Sequence, residues 1–427
     1  MRSSRRWKLM KTDIPYGALE ECRFPLVPLG AIAHFTSGWT PSSKNSAFYS
    51  GVNKWATIAD LNSHYISDTR QRISDVAVRE AGHPKLSNPG DLLFSFKLSV
   101  GMTSIVSSPM YTNEAIATFR PSRYLDAGFA YYAFPVFLSA AARPNIYGAP
   151  LLSASLISRA RVPRLSLMDQ RRIADYLDEE VREMDALVVE LDNLVDDLVT
   201  RRARLIEKHV AQYVSEASRE RGGYPKHSLK FLISDHFAGE WGVEAGQNEV
   251  DVTCVRVADF NRGTSSVSKN IPTTRSYSTK VLKQKCLSSG DLLLEKSGGG
   301  AKTPVGSVVL YRGSGAAMCA NFIEVLRLKN GQSNRFWAYV LRSSFVRGNT
   351  VPCIKQTTGI QNLDIQLFFD QKFVVPPDKK QREIADELDR ETAEMDSLIK
   401  EATELIENLK ARKTALITEV VTGRKKV

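Results

Sequence analysis

Three short segments of this 427-residue chain carry residue types that could do chemistry. Asp364, Asp370 and Lys372 have about the spacing of the carboxylate–carboxylate–lysine set of metal-dependent nucleases, but such triples also arise by chance among 58 basic and 47 acidic residues. Asn88–Asp91 begins like the loop that holds the target amine in amino-methyltransferases, yet it lacks the second proline and the aromatic residue. Ser297–Thr303 has the composition of a Walker A loop without its spacing. We therefore predict no catalytic centre in this chain, with a nuclease as the less favoured alternative.

The net charge favours an acidic partner. The chain carries a formal charge of +11 and has a pI near 9.3, an excess typical of proteins that bind nucleic acid. Its five cysteines form no CxxC and its six histidines form no cluster, which predicts no metal site and a reducing compartment. Ser4–Leu9 faintly resembles a twin-arginine signal, but no apolar segment follows, and no window reaches the ~18 apolar residues of a membrane span. We therefore expect a cytoplasmic protein.

A protein that reads DNA needs cations for the phosphates and amide, hydroxyl or basic groups for the base edges. The candidates with these side chains, or with an aromatic ring beside them, are Thr36, Ser37, Trp39, Asn62, Lys97, Asn113, Trp241, Asn261, Lys296, Lys355, Gln356, Thr357 and Gln361. Structural alternatives exist, because the asparagines can close turns or satisfy buried backbone and the tryptophans can belong to a core. The strongest candidates are Lys355, Gln356 and Gln361.

The elements that position these residues are arranged as a long-period repeat. Gln170–Asp178 returns as Gln381–Asp389, and the match continues without a gap to Val210 and Val421, with about 19 of 41 pairs identical. A period of 211 residues is too long for a solenoid, whose units run ~20–50 residues. The chain is therefore built as two halves, each a large segment followed by the same helix.

The large segments are rich in glycine, proline and short β-type runs, and they also echo each other faintly. Ala59–Asn62 pairs with Ala258–Asn261, and Gly90–Leu93 pairs with Gly290–Leu293. We therefore predict two β-rich mixed domains, at residues 1–165 and 223–377. Two helical regions, at residues 166–215 and 378–427, follow them.

Each predicted helix carries apolar residues seven positions apart. The rows are Leu177, Met184, Leu191, Leu198 and Leu205 in the first helix, and Leu388, Met395, Ala402, Leu409 and Leu416 in the second. Leu187, Leu194, Leu398 and Leu405 flank these rows and are expected to widen them into a packing stripe. About forty residues span ~60 Å, more than one small domain can cover, so the helices are predicted to pair with each other.

The charges of the helices predict the direction of pairing. Both helices are acidic early and basic late, so antiparallel pairing sets each acidic end against a basic end. The helix macrodipole explains part of the same pattern. The predicted fold class is α+β: two β-rich mixed domains separated by two long helices that form an antiparallel coiled coil, with a pseudo-two-fold internal repeat.

With this organisation the chain resembles the specificity subunits of type I restriction–modification systems. In that family two target-recognition domains alternate with two helical regions, whose start typically reads Gln-x-x-Ile-Ala-x-x-Leu-Asp, as at Gln170 and Gln381. Lys97–Gly101, Tyr111–Ile116, Glu295–Gly299 and Lys355–Leu363 are also similar to family segments.

The resemblance implies a non-catalytic subunit that reads an asymmetric, bipartite double-stranded DNA site, one half-site per domain. It also implies helices that bind two methyltransferase subunits and set the spacer, and restriction and translocase subunits that complete the complex. S-adenosylmethionine, ATP and Mg²⁺ are then expected on the partner subunits. One departure is that Gly148–Leu156 stands where the second domain has Thr358–Leu363, so a role of that loop does not transfer between domains. A coiled-coil scaffold that binds only proteins is the alternative.

Overall fold

The computed structural model describes residues 20–82, 84–97, 99–144, 150–214, 223–300, 303–357 and 359–427. It divides into two compact units, one comprising Met1–Glu190 with Glu404–Val427 and the other Leu191–Thr403. Each unit holds one β-rich domain and one part of each long helix. Among the described helices, none is both long and apolar enough to cross a membrane.

The first domain is a mixed α/β structure built from short strands. Its strands are β1 (Leu26–Pro28), β2 (Phe35–Ser37), β3 (Asn53–Ala56), β4 (Tyr65–Ile66), β5 (Gln71–Ile73), β6 (Leu92–Ser95), β7 (Thr103–Val106), β8 (Tyr111–Thr112), β9 (Ile116–Phe119), β10 (Arg143–Pro144), β11 (Pro150–Leu151) and β12 (Arg161–Pro163). Its helices are α1 (Asp75–Glu80), α2 (Ala127–Ser139) and α3 (Ala154–Arg159), and α4 (Leu167–Val214) is the first long helix.

The second domain follows in the same style. Its strands are β13 (Lys226–Ser228), β14 (Ile233–Ala238), β15 (Val250–Val255), β16 (Phe260–Asn261), β17 (Ser266–Val267), β18 (Thr274–Tyr277), β19 (Leu292–Glu295), β20 (Ser297–Gly299), β21 (Val308–Leu310), β22 (Ala317–Cys319), β23 (Ile323–Leu328), β24 (Ile354–Thr357), β25 (Ile360–Leu363) and β26 (Lys372–Val374). Its helices are α5 (Thr279–Lys285), α6 (Asn334–Val346) and α7 (Ile365–Asp370), and α8 (Asp378–Val421) is the second long helix.

The two domains share a topology that their sequences barely reveal. The largest sheet has the order β2-β9-β6-β7-β4 in the first domain and β14-β23-β19-β21-β17-β16 in the second. A second sheet places β3 antiparallel to β5 and parallel to β8, as β15 lies antiparallel to β18 and parallel to β22. The central strands β6 and β19 are buried along their whole length, which accounts for their continuous apolar runs. The α+β fold class with an internal repeat is thus confirmed.

The short motifs shared by the two domains are backbone turns. The Asp60 carboxylate accepts a hydrogen bond from the Thr57 N–H, and Asp259 does the same for Arg256, each at 2.8 Å. Asp91 and its repeat partner Asp291 cap the turns before β6 and β19 in the same manner. These carboxylates recur because they satisfy backbone donors that would otherwise be buried without partners.

The repeated helix start anchors each long helix to its own domain. The Gln170 Oε1 accepts from the Asp126 N–H at 2.8 Å, and its Nε2 donates to the Tyr124 carbonyl at 2.9 Å. In the second unit the Gln381 Oε1 accepts from the Ser333 N–H at 2.9 Å, and its Nε2 donates to the Pro376 carbonyl at 2.8 Å. Both glutamines are buried, so these bonds form away from water.

The remaining motif positions complete this anchor. Ile173, Ala174 and Leu177 are buried, as are their repeat partners Ile384, Ala385 and Leu388. The Tyr132 hydroxyl of α2 donates to the Asp178 carboxylate at 2.6 Å, and the Tyr339 hydroxyl of α6 donates to Asp389 at 2.8 Å. Burial raises the pKa of Tyr339 to about 12, so this phenol stays protonated and remains a donor at neutral pH.

The two long helices pair antiparallel, as their charges predicted. In the first unit, Leu177 and Met184 of α4 lie in one buried cluster with Leu416 and Val420 of α8. In the second unit, Ile206 and Val210 of α4 share a cluster with Ile384 and Leu388 of α8. The early part of each helix therefore meets the late part of the other. Equivalent ion pairs join the helices within each unit, Lys413 to Asp185 at 2.7 Å and Arg202 to Asp396 at 2.8 Å.

The predicted apolar rows differ in burial along their length. Leu177, Met184, Leu198, Leu388, Ala402 and Leu416 are buried, whereas Leu191, Leu205, Met395 and Leu409 are half-buried. The expectation for the flanking leucines is wrong, because Leu187, Leu194, Leu398 and Leu405 are 40–50% exposed. The antiparallel seam is therefore narrow, and each helix presents a second apolar row that no described part of the chain covers.

The glutamine anchor generates a stability prediction. Gln381→Ala should lower the free energy of unfolding by about 1–3 kcal/mol, because it leaves the buried Ser333 N–H and Pro376 carbonyl without their partner. Gln170→Ala should cost a similar amount. Denaturant unfolding of the full chain measures both, with Gln366→Ala on the exposed face of α7 as control. Equal stability of all three variants would show that the repeated glutamines are not anchors.

Candidate nucleic-acid interface

Most of the candidates of the second domain lie together on one small sheet. Strand β25 pairs antiparallel with β24 on one side and with β20 on the other. Lys355, Gln356, Thr357 and Gln361 belong to the antiparallel pair β24–β25, which we call the ribbon, and Lys296 immediately precedes β20, the third strand of this sheet. The tip of the ribbon contains Gly359, whose φ of 87° is in the left-handed region that glycine tolerates. Strands of a β-sheet are among the elements that proteins place in a DNA groove.

The register of this sheet sorts its side chains onto two faces. Lys355 is directly opposite Asn362, which is directly opposite Ser297, so these three side chains share a face. Burial alternates along β25: Ile360 and Asn362 are exposed, whereas Gln361 and Leu363 are buried. We call the exposed side the outer face, defined by Ser297, Lys355, Ile360 and Asn362.

Two polar contacts order the outer face. The Ser297 hydroxyl donates to the Asn362 Oδ1 at 2.5 Å. The Lys355 Nζ lies 2.5 Å from the Asp364 carboxylate, while its side chain remains 71% exposed. Asp364 also caps α7 by accepting from the Gln366 and Leu367 N–H groups. The contact with Lys355, and then these backbone bonds, lower the pKa of Asp364. The carboxylate is therefore ionised and holds the lysine beside the ribbon.

Three residues of the outer face were absent from the sequence-based candidates: Ser297, Asn362 and Ile360. The alternation of Ile360, Gln361, Asn362 and Leu363 was the available signal, because a period of two places one pair outside and the other inside. Which pair faces solvent depends on packing against the domain, which the sequence does not state. Phe322 was also missed; it is 48% exposed and its ring lies beside the backbone of Gly298.

Gln361 lies on the inner side of the ribbon. Only 8% of its surface is exposed, and its Oε1 accepts from the Val305 N–H at 3.4 Å. Its Nε2 donates to the Oε1 of the exposed Gln356 at 3.4 Å. Gln361 thus contacts the fold, whereas Gln356 is available to a ligand. Thr357 is paired with Ile360 in the ladder, and its side chain lies outside the described residues.

The other candidates of the second domain have partners within it. Lys296 lies 2.8 Å from the Glu324 carboxylate, which also contacts His236. Trp241 is half-exposed, and the Arg275 guanidinium stacks over its ring at 4.6 Å. Asn261 closes the turn after β16 by accepting from the Thr264 N–H at 3.1 Å. In this state the charge of Lys296 is balanced and Asn261 supports a turn.

In the first domain, Trp39 and Asn113 contribute to packing and to turns. The Trp39 ring packs edge-on against Tyr111 at 5.3 Å, and its carbonyl accepts from the Trp55 Nε1 at 3.0 Å. The Asn113 Oδ1 accepts from the Ala115 N–H at 3.1 Å. Trp39 therefore has a packing role, and Asn113 supports a turn, as the structural alternatives for these residue types predicted.

Of the remaining candidates of the first domain, Ser37 and Asn62 are exposed, whereas Thr36 and Lys97 are half-buried. Thr36 and Ser37 lie on the edge strand β2, and the Lys97 Nζ lies 5.4 Å from the Phe96 ring centroid. Asn62 is exposed and lines an open concavity of about 360 Å³ together with Asp60, Ser63, Tyr65, Ile66, Ser67, Asp68, Thr69 and Arg70. These positions are separate features of the domain surface.

The nuclease alternative gains no support from the positions of its residues. Asp364 caps α7 and binds Lys355, whereas Asp370 lies 2.7 Å from Lys230. Lys372 lies on β26, opposite Ser228. Among the described residues, no three His, Cys, Asp or Glu side chains are grouped so that they could hold a metal ion.

Part of the second half of the chain is similar to a known protein family. Residues 259–408 match the family model described as "Type I restriction modification DNA specificity domain". A specificity subunit of the type I restriction enzyme StySPI from Salmonella potsdam is 22% identical over 315 residues. That match covers 71% of this chain and 66% of the relative, just under two thirds of its length.

Solved structures extend the similarity to the whole fold. A chain in a structure described as "Structural basis underlying complex assembly and conformational transition of the type I R-M system" is 16% identical, with a TM-score of 0.64. The alignment covers 93% of this chain and 97% of the other. The HsdS subunit from Thermoanaerobacter tengcongensis aligns over 94% of this chain and 97% of its own length, with 15% identity and a TM-score of 0.46. Residues 259–408 are thus similar to the DNA specificity domain of type I restriction–modification systems. The TM-score of 0.64 shows that the chain as a whole shares the fold of the matched chain of a type I R-M system.

Proposed function

We propose that this chain is the sequence-reading subunit of a type I restriction–modification complex, in which each domain reads one half of an asymmetric bipartite DNA site. The carrying observation is that the two domains share a topology and an anchor but differ in the ribbon that precedes each long helix. The second domain has Lys355 opposite Asn362 in the ribbon β24–β25, whereas the ribbon β10–β11 of the first domain has Arg143 opposite Leu151 and Pro144 opposite Pro150. One scaffold with two different surfaces suits two different half-sites.

In this proposal the chain supplies recognition and its partners supply catalysis. The methyltransferase subunits transfer a methyl group from S-adenosylmethionine. The restriction subunits carry out translocation and cleavage, which depend on ATP and Mg²⁺, and the complex acts in the cytoplasm. This assignment accords with the missing methyltransferase and Walker A loops of the sequence. Basic residues contribute to DNA affinity through the phosphates, in line with the net charge of +11.

The direct test is the methylome of the host with and without this gene. Deletion should remove methylation at one bipartite motif, and expression of the gene together with its methyltransferase should restore it. The chain purified alone should transfer no methyl group. A methylome that does not change on deletion would instead favour a scaffold that binds only proteins.

The exposed leucine rows offer docking faces for the two methyltransferase subunits. Leu187 and Leu194 of α4 are 40% and 46% exposed, and their repeat partners Leu398 and Leu405 of α8 are 50% and 44% exposed. Leucines spaced seven positions apart on a helix form an apolar row against which a partner helix can pack. Because the row occurs once on each helix, we assign one methyltransferase copy to each.

This assignment predicts the stoichiometry of a variant complex. The double variant Leu187→Asp, Leu194→Asp should bind one methyltransferase in place of two, because charged residues cannot be buried at an apolar interface. Its own stability should change little, since both side chains are already exposed in the isolated chain. Native mass spectrometry measures the count. Val52→Asp, at a side chain 80% exposed in the first domain, is the control. Two bound copies in the double variant would contradict the assignment.

We further propose that the helices set the number of unread base pairs between the half-sites. A seven-residue insertion in both helices, after Glu190 and after Thr403, keeps the apolar rows in phase and lengthens each helix by about 10 Å. At ~3.4 Å per base pair the spacer should grow by about three base pairs, with the half-site bases unchanged. Methylome sequencing of a strain that carries the insertions measures both the spacer length and the half-site bases. Changed half-site bases with an unchanged spacer would mean that the helices take part in base reading.

A further inference from the structure

The outer face of the second domain presents groups of defined hydrogen-bonding character. Asn362 is exposed, and its Oδ1 is occupied by the Ser297 hydroxyl. Within the described part of the chain, the Asn362 Nδ2 takes part in no hydrogen bond, so both of its N–H donors point to solvent. Serine thereby selects the orientation of the amide, with the donor end outward.

The neighbours of Asn362 suit a DNA groove. Ile360 is 55% exposed near the tip of the ribbon, although burial of an isoleucine side chain normally stabilises a fold. Residues 354–363 contain no aspartate or glutamate, so nothing on the ribbon itself repels phosphate. Lys355 lies across the ladder from Asn362 and supplies a cation.

We propose that the β24–β25 ribbon enters the major groove of one half-site, where Asn362 is a base-reading residue and Ser297 its positioning residue. The two N–H donors of Asn362 would face acceptors on a purine or thymine edge, namely N7 or O6 of guanine, N7 of adenine or O4 of thymine. Ile360 would contact a thymine methyl group, and Lys355 would exchange Asp364 for a phosphate. This inference rests on the proposed function and adds the residues that carry it out.

The first domain cannot read DNA in the same way. In the ribbon β10–β11 the exposed Leu151, 40% exposed and without a hydrogen-bonding side chain, lies opposite Arg143, so this ribbon has no pair like Lys355 and Asn362. The corresponding ribbon, β10–β11, carries prolines at Pro144 and Pro150, opposite each other in the ladder. The inference is therefore specific to one of the two half-sites.

The test uses the complete complex with its methyltransferase and restriction subunits. Asn362→Ala should relax the motif at one base of one half-site, and it should reduce discrimination at that base by roughly 5- to 150-fold, the range for one good base contact. Asn362→Asp keeps the shape and the Ser297 bond but replaces donors with an acceptor. It should shift preference at the same base toward cytosine, whose N4 is a donor. Ser297→Ala should weaken discrimination at that base alone.

Methylome sequencing and binding to a panel of single-base-substituted duplexes give the readouts, with Gln366→Ala as a matched surface control that should leave the motif unchanged. An unchanged motif in assembled Asn362→Ala and Asn362→Asp complexes would overturn the inference. Weakening that is equal for all sequences would also overturn it, since that result assigns Asn362 to the DNA backbone. The wild-type arm tests the proposed function separately, because a wild-type complex that modifies no bipartite motif contradicts that function whatever the variants do.

Discussion

A buried glutamine at the start of each long helix is the contact on which the rest of this structure depends. Gln170 and Gln381 each bind backbone groups of their own domain through both ends of the amide. Since an unsatisfied buried polar group costs about 1–3 kcal/mol, the helix can start at one position and in one orientation only. The direction of the helix, and hence which of its faces meets the partner helix, follows from that start.

The two halves of the chain share the same helix anchor but have different exposed surfaces. Repeated residues hold what both halves need in common: the helix start, the capped turns at Asp60 and Asp259, and the ion pairs between the helices. The exposed positions of the two ribbons differ, with Leu151 on β11 and Asn362 on β25. The proposed reading of two half-sites requires this division, because the recognition surfaces have to differ while the geometry that holds them stays the same.

The helices carry two apolar rows with separate uses. The inner row is buried where α4 and α8 meet within each unit and stabilises the chain by itself. The outer row, at Leu187, Leu194, Leu398 and Leu405, stays exposed and suits a partner. Binding of a partner at the outer row would therefore be separable from folding, since different side chains are responsible for each.

The sequence by itself determined the two-half organisation, the long helices and their antiparallel pairing. These properties follow from a repeat, a seven-residue period and a charge gradient, all of which can be read from the order of residue types along the chain. Tertiary structure decided which polar residues face outward. Gln361 and Asn362 are neighbours with similar amide side chains, and only the packing of β25 against its domain buries the first and exposes the second. The tertiary structure also decided that the flanking leucines remain exposed, because the width of the buried seam depends on how closely the two helices approach each other. Periodicity defines the faces of an element, and burial of a face is settled by what packs against it.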